Sequence, residues 1–151
     1  MEHTLPLLAC RNTSSHVVIS LTIKNKLDMK VVLSIKPEFA EKIFDGTKQF
    51  EYRRVRWKNK VTCVIVYASH PVQRVIGEFR ILTIIHANLE SLWSKTHEQS
   101  GITKEQFDKY FKGLKNGFAI QVLDYVKYDE SKSLQCDFNM KPPQSFAYYY
   151  K

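Results

Sequence analysis

The chain has 151 residues, 44% of them hydrophobic and 13% aromatic, which suits one compact domain with a real core and leaves little room for a second. No apolar run approaches the ~20 residues that a membrane-spanning helix needs, so a soluble protein is expected. The net charge is +8, and the excess is local, because residues 29–80 hold eleven lysines and arginines against five acidic residues. A field of one sign on one side of a small domain steers phosphates, so a polyanionic partner is expected.

The cysteines, Cys10, Cys63 and Cys136, are odd in number and far apart, with no CxxC pair and no Cys/His spacing suited to zinc. A disulfide scaffold is not expected, and a reducing cytoplasm is the default compartment. Leu5–Cys10 looks superficially like a lipoprotein cleavage box. It follows Met1-Glu2-His3 rather than a basic segment, and its apolar run falls short of the ~7 to 15 residues of an export signal. Export is therefore not expected.

Residues 1–28 differ from the rest in composition, with a polar cluster at Asn12–Ser15 and a short apolar segment at Val17–Ile23. They read as an amino-terminal extension ahead of a natural start at Met29, either disordered or adding an edge strand. Met29–Ile35 then opens the domain of residues 29–151 as a buried first strand. Pro37 suits the first turn of a helix to Phe44, with Phe39, Ala40, Ile43 and Phe44 on one stripe and Gly46 closing it. Strands are predicted at Lys48–Val55 and at Val61–Ala68, the second a β-branched run fit for the centre of a sheet. Ser69-His70-Pro71 breaks that run, and Val72–Ile85 reads as a long strand bent at Gly77. Asn88 caps a helix over Leu89–His97, and Thr103-Lys104-Glu105-Gln106 is a capping-box start for another that ends before Gly113. Alternation returns from Asn116 to Tyr128, and the segment after Pro142-Pro143 reads as a last strand. The sum is an α+β fold, a small mixed β-barrel of five to six strands with about three short helices.

The segment Gly46-Thr47-Lys48-Gln49-Phe50-Glu51-Tyr52-Arg53-Arg54 carries the chemistry. Strand alternation puts Glu51 and Arg53 on one face and Phe50 and Tyr52 on the other, with Lys48 at the mouth. Either these charges are solvated on an edge strand, or they are paired and line a cleft, since buried charges need partners. Beyond them Arg53, Arg54, Arg56, Lys58 and Lys60 surround Trp57. Basic residues interleaved with an aromatic ring suit RNA or another single strand, phosphates supplying affinity and the ring stacking a base. The alternative is a solvated loop with Trp57 folded back as a hydrophobic plug.

Leu33-Ser34-Ile35-Lys36-Pro37 through Gly46-Thr47-Lys48 and Glu51-Tyr52-Arg53-Arg54 resembles the ASCH domain family, whose hallmark is GxKxxExR after a short helix. Val66–Ser69 with Pro71-Val72, Val75–Phe79, and Pro143-Gln144-Ser145-Phe146 look like its stand-alone prokaryotic or phage members. The resemblance spans about Met29 to Tyr148. It implies a PUA-like barrel with a cleft beside the signature strand, in a superfamily associated with RNA and modified nucleosides. Some small members are amidohydrolases acting on N4-acetylated cytidine through a lysine, a threonine and a distant glutamate. Lys48 matches the lysine, whereas Glu51 stands at the threonine and the glutamate falls near Ser100, with Glu98 the closest carboxylate.

On this basis the chain is expected to bind RNA or a modified nucleoside through Lys48, Glu51 and Arg53, with a rim of Lys36, Arg54, Arg56, Trp57 and Lys58. Ser69 and His70 are candidates for the cleft floor, and Gln144 and Ser145 for reading a base edge. If the protein is an enzyme, Lys48 and Glu51 are the candidate catalytic pair of an amidohydrolase or, with Glu51 as base toward a ribose hydroxyl, of a ribonuclease. A transcription-linked module sensing a small ligand is the third possibility. No metal or organic cofactor is implied.

Overall fold

The computed structural model of the protein describes residues 29–150, so the expectations for residues 1–28, Cys10 among them, lie outside the described residues. In chain order the elements are β1 (Met29–Ile35), α1 (Pro37–Phe44), β2 (Phe50–Arg53), β3 (Val61–Ala68), β4 (Arg74–Asn88), α2 (Leu89–Thr96), a 3-10 turn (His97–Gln99), α3 (Lys104–Tyr110), β5 (Asn116–Lys132), α4 (Leu134–Phe138) and β6 (Phe146–Tyr149). The strands form one six-stranded mixed sheet in the order β2-β5-β4-β3-β1-β6. Only β1 and β3 are parallel; the other neighbours are antiparallel.

The two parallel strands are apolar on both faces because both faces are covered. Val31, Leu33 and Ile35 of β1 join Val64, Val66 and Ala68 of β3 in the main core, which α1 closes with Ala40, Ile43 and Phe44. Val32, Ile65 and Tyr67 point the other way, into a smaller cluster capped by Leu134 of α4. A third cluster lies on the outer face of β2 and β5, where Phe50, Tyr52 and Ala119 meet Leu92 of α2 and Phe107 and Phe111 at α3. The helix starts follow the sequence. Asn88 accepts from the Ser91 amide at 2.9 Å, and Thr103 and Gln106 complete a reciprocal capping box.

β4 bends at Gly77, where its pairing with both β3 and β5 slips register. A side chain there would start 2.5 Å from the Val126 carbonyl oxygen and 2.6 Å from the Phe44 ring, so the sheet can curl over α1 only at a glycine. The curl brings the two ends of the sheet toward each other, yet β2 and β6 exchange no ladder, and side chains instead of backbone bridge the seam. Trp57 fills the seam edge-on against Phe146, with ring centroids 5.8 Å apart. Beside it the Tyr148 hydroxyl accepts from the Lys58 and Asn59 amides at 3.0 and 3.1 Å.

The α+β fold is as expected, with four α-helices among the described residues where about three are expected, and with a sheet that curls without closing into a full barrel. β2 is shorter than Lys48–Val55 because the amides of Lys48 and Gln49 donate to Lys42 and Gln99, outside the ladder. β5 runs past Tyr128 to Lys132 because β4 remains alongside it as far as Val75. α4 was not expected from the sequence; Ser133 caps it by accepting from the Cys136 amide at 3.0 Å. No helix among the described residues is long and apolar enough to cross a membrane.

Candidate functional site at the seam of the sheet

Once Phe50 and Tyr52 of β2 are committed to the cluster under α2 and α3, alternation sends Glu51 and Arg53 to the inner face, toward the seam. Lys48 reaches the same place from the turn before the strand. Gly46 makes that turn with a φ of +84°, a conformation that favours glycine, and Gly101 lets the lysine stem lie against the chain after the 3-10 turn. The three charged side chains are almost closed off from water: Lys48 is 2% exposed, and Glu51 and Arg53 are each 7% exposed. The charges are therefore paired and buried, not solvated on an edge.

Glu51 lies between the two cations, 3.6 Å from the Lys48 Nζ on one side and 3.6 Å from an Arg53 nitrogen on the other. Lys48 also donates to the Ser100 carbonyl oxygen at 2.8 Å and lies 5.7 and 5.3 Å from the ring centroids of Phe39 and Tyr52. Burial holds the Lys48 ammonium below its ordinary pKa, and the Glu51 carboxylate opposes that fall. Arg53 spans the seam, donating to the Ser34 carbonyl oxygen at 3.3 Å and to the Ser145 hydroxyl at 2.6 Å. The Ser34 hydroxyl in turn donates to the Pro143 carbonyl oxygen at 2.5 Å, which fixes the segment before β6. Burial also raises the pKa of the Tyr110 hydroxyl, which feels Arg53 pulling it down and Glu51 pushing it up.

Two cations against one carboxylate leave this dry cluster with one net positive charge, which an incoming anion would neutralise. Arg53 supplies directed donors for a phosphate or carboxylate, and Ser145 adds a hydroxyl on the same edge.

The other expected residues divide. Ser145 joins the cluster. Gln144 and Lys36 are exposed near it, next to Ser145 and at the start of α1 respectively. The amide of Ser69 donates to the Ile35 carbonyl oxygen, which puts the Ser69-His70-Pro71 turn beside the end of β1, with His70 exposed. Trp57 is 2% exposed and packed into the main core, so it is the hydrophobic plug, and no face of it is free to stack a base. Arg54 donates to the carbonyl oxygens of Tyr110 and Lys112 at 3.4 and 3.5 Å, serving the carboxyl end of α3. Arg56 donates to the Trp57 carbonyl oxygen, and Lys58 is exposed. The sequence reading misses Ser34 as a neighbour of the cluster. Ser100, near which the resemblance sets a glutamate, meets Lys48 through its backbone carbonyl oxygen.

Comparison with known proteins identifies the family. The ASCH domain family model matches residues 33–135, a span that runs from the end of β1 through the signature segment and α3 to the end of β5. An ASCH domain-containing ribonuclease of Zymomonas mobilis is 29% identical over 128 residues, covering 81% of this chain and 85% of that protein. Two proteins of Ureaplasma parvum, an ATP synthase subunit alpha and a large ribosomal subunit protein uL22, are 31% and 32% identical over 98% and 78% of this chain. The chain spans only 19% and 38% of those two proteins' length. Among solved structures, the crystal structure of ASCH from Zymomonas mobilis superposes with a TM-score of 0.74 at 28% identity, covering 81% of this chain and 88% of that one. A serine-to-alanine variant of the same protein gives a TM-score of 0.74 at 27% identity. With the family match running over most of the described sheet and through the Lys48, Glu51 and Arg53 signature, the chain belongs to the ASCH domain family.

Proposed function

We propose that this domain binds RNA at the sheet seam and cleaves its phosphodiester backbone. The observation that carries the reading is the buried Lys48–Glu51–Arg53 cluster with one positive charge in excess. A phosphodiester supplies the missing negative charge, and the guanidinium of Arg53 offers it paired donors. The name of the Zymomonas relative, an ASCH domain-containing ribonuclease, supports RNA over other polyanions. In the cleavage step a ribose 2′-hydroxyl attacks the neighbouring phosphorus while Glu51 accepts its proton. Arg53 stabilises the charge gathering on the phosphoryl oxygens, and the bond to the 5′-oxygen breaks as that oxygen takes a proton from water, leaving a 2′,3′-cyclic phosphate and a 5′-hydroxyl end. An acyl-nucleoside amidohydrolase has less support, because Glu51 stands where the resemblance expects that chemistry's threonine.

A second reading, RNA binding without turnover, draws support from Lys48, whose Nζ is nearly inaccessible and already bonded to Ser100. One experiment separates the two: cleavage of a short single-stranded RNA, followed alongside equilibrium binding, for the wild type and for Glu51→Gln. The cleavage reading requires that the variant keep much of the binding and lose turnover, since an amide still hydrogen-bonds but takes no proton. Binding by the wild type with no product would leave only the second reading. Affinity measured across salt concentrations tests the rim. Replacing Arg56 and Lys58 together should flatten the log–log slope by about one unit or more if both meet phosphates.

A further inference from the structure

On the inner face of the sheet a row of three residues crosses from β2 to β4. Arg53 pairs with Phe118 of β5, and Phe118 pairs with His86 of β4, so all three side chains stand on one face. The Phe118 and His86 rings are stacked nearly parallel, with centroids 4.3 Å apart and planes 15° apart. One residue along, Tyr52, Ala119 and Ile85 make the equivalent row on the opposite face, where they belong to the cluster under α2 and α3.

The inner row has no such cover. His86 is exposed and Phe118 only half-buried, although the row begins at the buried Arg53. A flat aromatic pair left open in the same cross-strand row as a buried arginine is the kind of arrangement that single-stranded nucleic acids use, a cation for the phosphate and a ring for the adjoining base. A buried hydrophobic patch would not put an imidazole on its outer side, and a purely electrostatic site would not need the rings. Trp57, the aromatic residue nearest the basic run in sequence, is sealed in the core and cannot serve.

We infer that His86 and Phe118 form a stacking platform for the nucleobase adjoining the phosphate held at Arg53, so that the site prefers single-stranded RNA with an unpaired base at that position. This rests on the RNA reading of the same site. The platform fixes the strand's position, and the residues that touch the phosphate remain those of the seam.

The test uses the full chain and two oligoribonucleotides of equal length and charge, one with every base present and one whose central nucleotides are abasic. The variants are His86→Ala, at an exposed position, and His86→Ala with Phe118→Leu, which keeps apolar volume against the sheet. Cooperative unfolding is checked for both. The expected result is that the wild type prefers the base-bearing strand, and that the double variant loses about tenfold or more of its affinity for it while its affinity for the abasic strand is unchanged. The single variant should lose part of that preference. Equal affinity of the wild type for the two strands, or an equal loss on both in the variants, would overturn the platform and leave the RNA reading standing. Binding of neither strand by the wild type would overturn both.

Discussion

Arg53, the last residue of β2, donates to the hydroxyl of Ser145, the residue before β6, at 2.6 Å, although β2 and β6 stand at opposite ends of the sheet order. A side chain thus does what a ladder does in a closed barrel, and it is one of the two cations of the buried cluster. Closure of the sheet and orientation of the guanidinium are one contact. Any ligand that draws Arg53 away from Ser145 loosens the seam, and any loosening of the seam lets Arg53 wander.

Ser145→Ala removes the acceptor without leaving a void larger than an oxygen atom. A hydrogen bond to a charged group contributes about 1.5–3 kcal/mol when well buried. Ser145 is only half-buried. Stability should therefore fall by about 1 kcal/mol in urea unfolding, while RNA affinity falls by about tenfold because the guanidinium is less well held. Loss of stability with unchanged affinity would separate closure from binding.

Glu51 carries the electrostatics of the cluster. Glu51→Ala leaves Lys48 and Arg53 as buried cations without a counter-charge, which should cost about 3–5 kcal/mol. The same change in a Lys48→Met background faces one unpaired cation instead of two and should cost at least about 1 kcal/mol less. Glu51→Gln serves where the alanine variant is too unstable to measure. Additive costs around this cycle would mean that the 3.6 Å approach of Lys48 to Glu51 contributes nothing.

Much of this was legible in the sequence, for reasons that particular residues make plain. Val61–Ala68 read as a central strand because both its faces are apolar, and the two capped helices declared themselves through Asn88 and through Thr103 with Gln106. The signature residues were found because charges of both signs on a short strand are unusual unless paired. Other features left no local mark. α4 is five residues long with one buried side chain, Leu134, too little for any periodicity to show. Trp57 in a basic run is equally consistent with a stacking surface and a plug, and Phe146, far along the chain, decides between them. Ser34 and Ser100 touch the cluster through carbonyl oxygens, which every residue type has, so their identities carry no signal.

The Lys48 ammonium titrates below its ordinary value of 10.5 in the fold because burial disfavours its charge. Between the folded value and 10.5 the native state binds fewer protons than the unfolded chain, so stability rises with pH across that window. The contribution is complete above 10.5 and is lost as pH falls through the folded value. Lys48→Met has no such proton. The stability of the wild type minus that of the variant should thus climb as pH is raised toward 10.5, as read by urea unfolding at stepped pH. Tyr52, whose hydroxyl burial pushes the opposite way, upward, is common to both chains and cancels to first order. A difference that is flat or falls with pH would show that Lys48 keeps its proton in the fold as readily as outside it.

Gly77 is the hinge on which the seam depends, and its requirement is steric. A Cβ at this position would lie 2.5 Å from the Val126 carbonyl oxygen and 2.6 Å from the Phe44 ring, both distances that real Cβ atoms do not reach. The ring belongs to a side chain and can turn away, but the carbonyl belongs to β5, which pairs with β4 at this point. Gly77→Ala should therefore push the two strands apart and cost about 3 kcal/mol, at the upper end for overpacking a core. Gly113→Ala is the control. Its Cβ meets nothing within 4 Å, so only the φ of +85° opposes it, at about 1–2 kcal/mol. Combining Gly77→Ala with Phe44→Leu removes the ring from the conflict and leaves the carbonyl, so stability should recover only in part. Because the bend carries the sheet toward the Arg53–Ser145 contact, Gly77→Ala should also weaken RNA binding under conditions where the variant remains folded, an effect that Gly113→Ala should lack. Full recovery in the double variant would mean that the backbone clash is absorbed by β5 and that the bend is not set by Gly77.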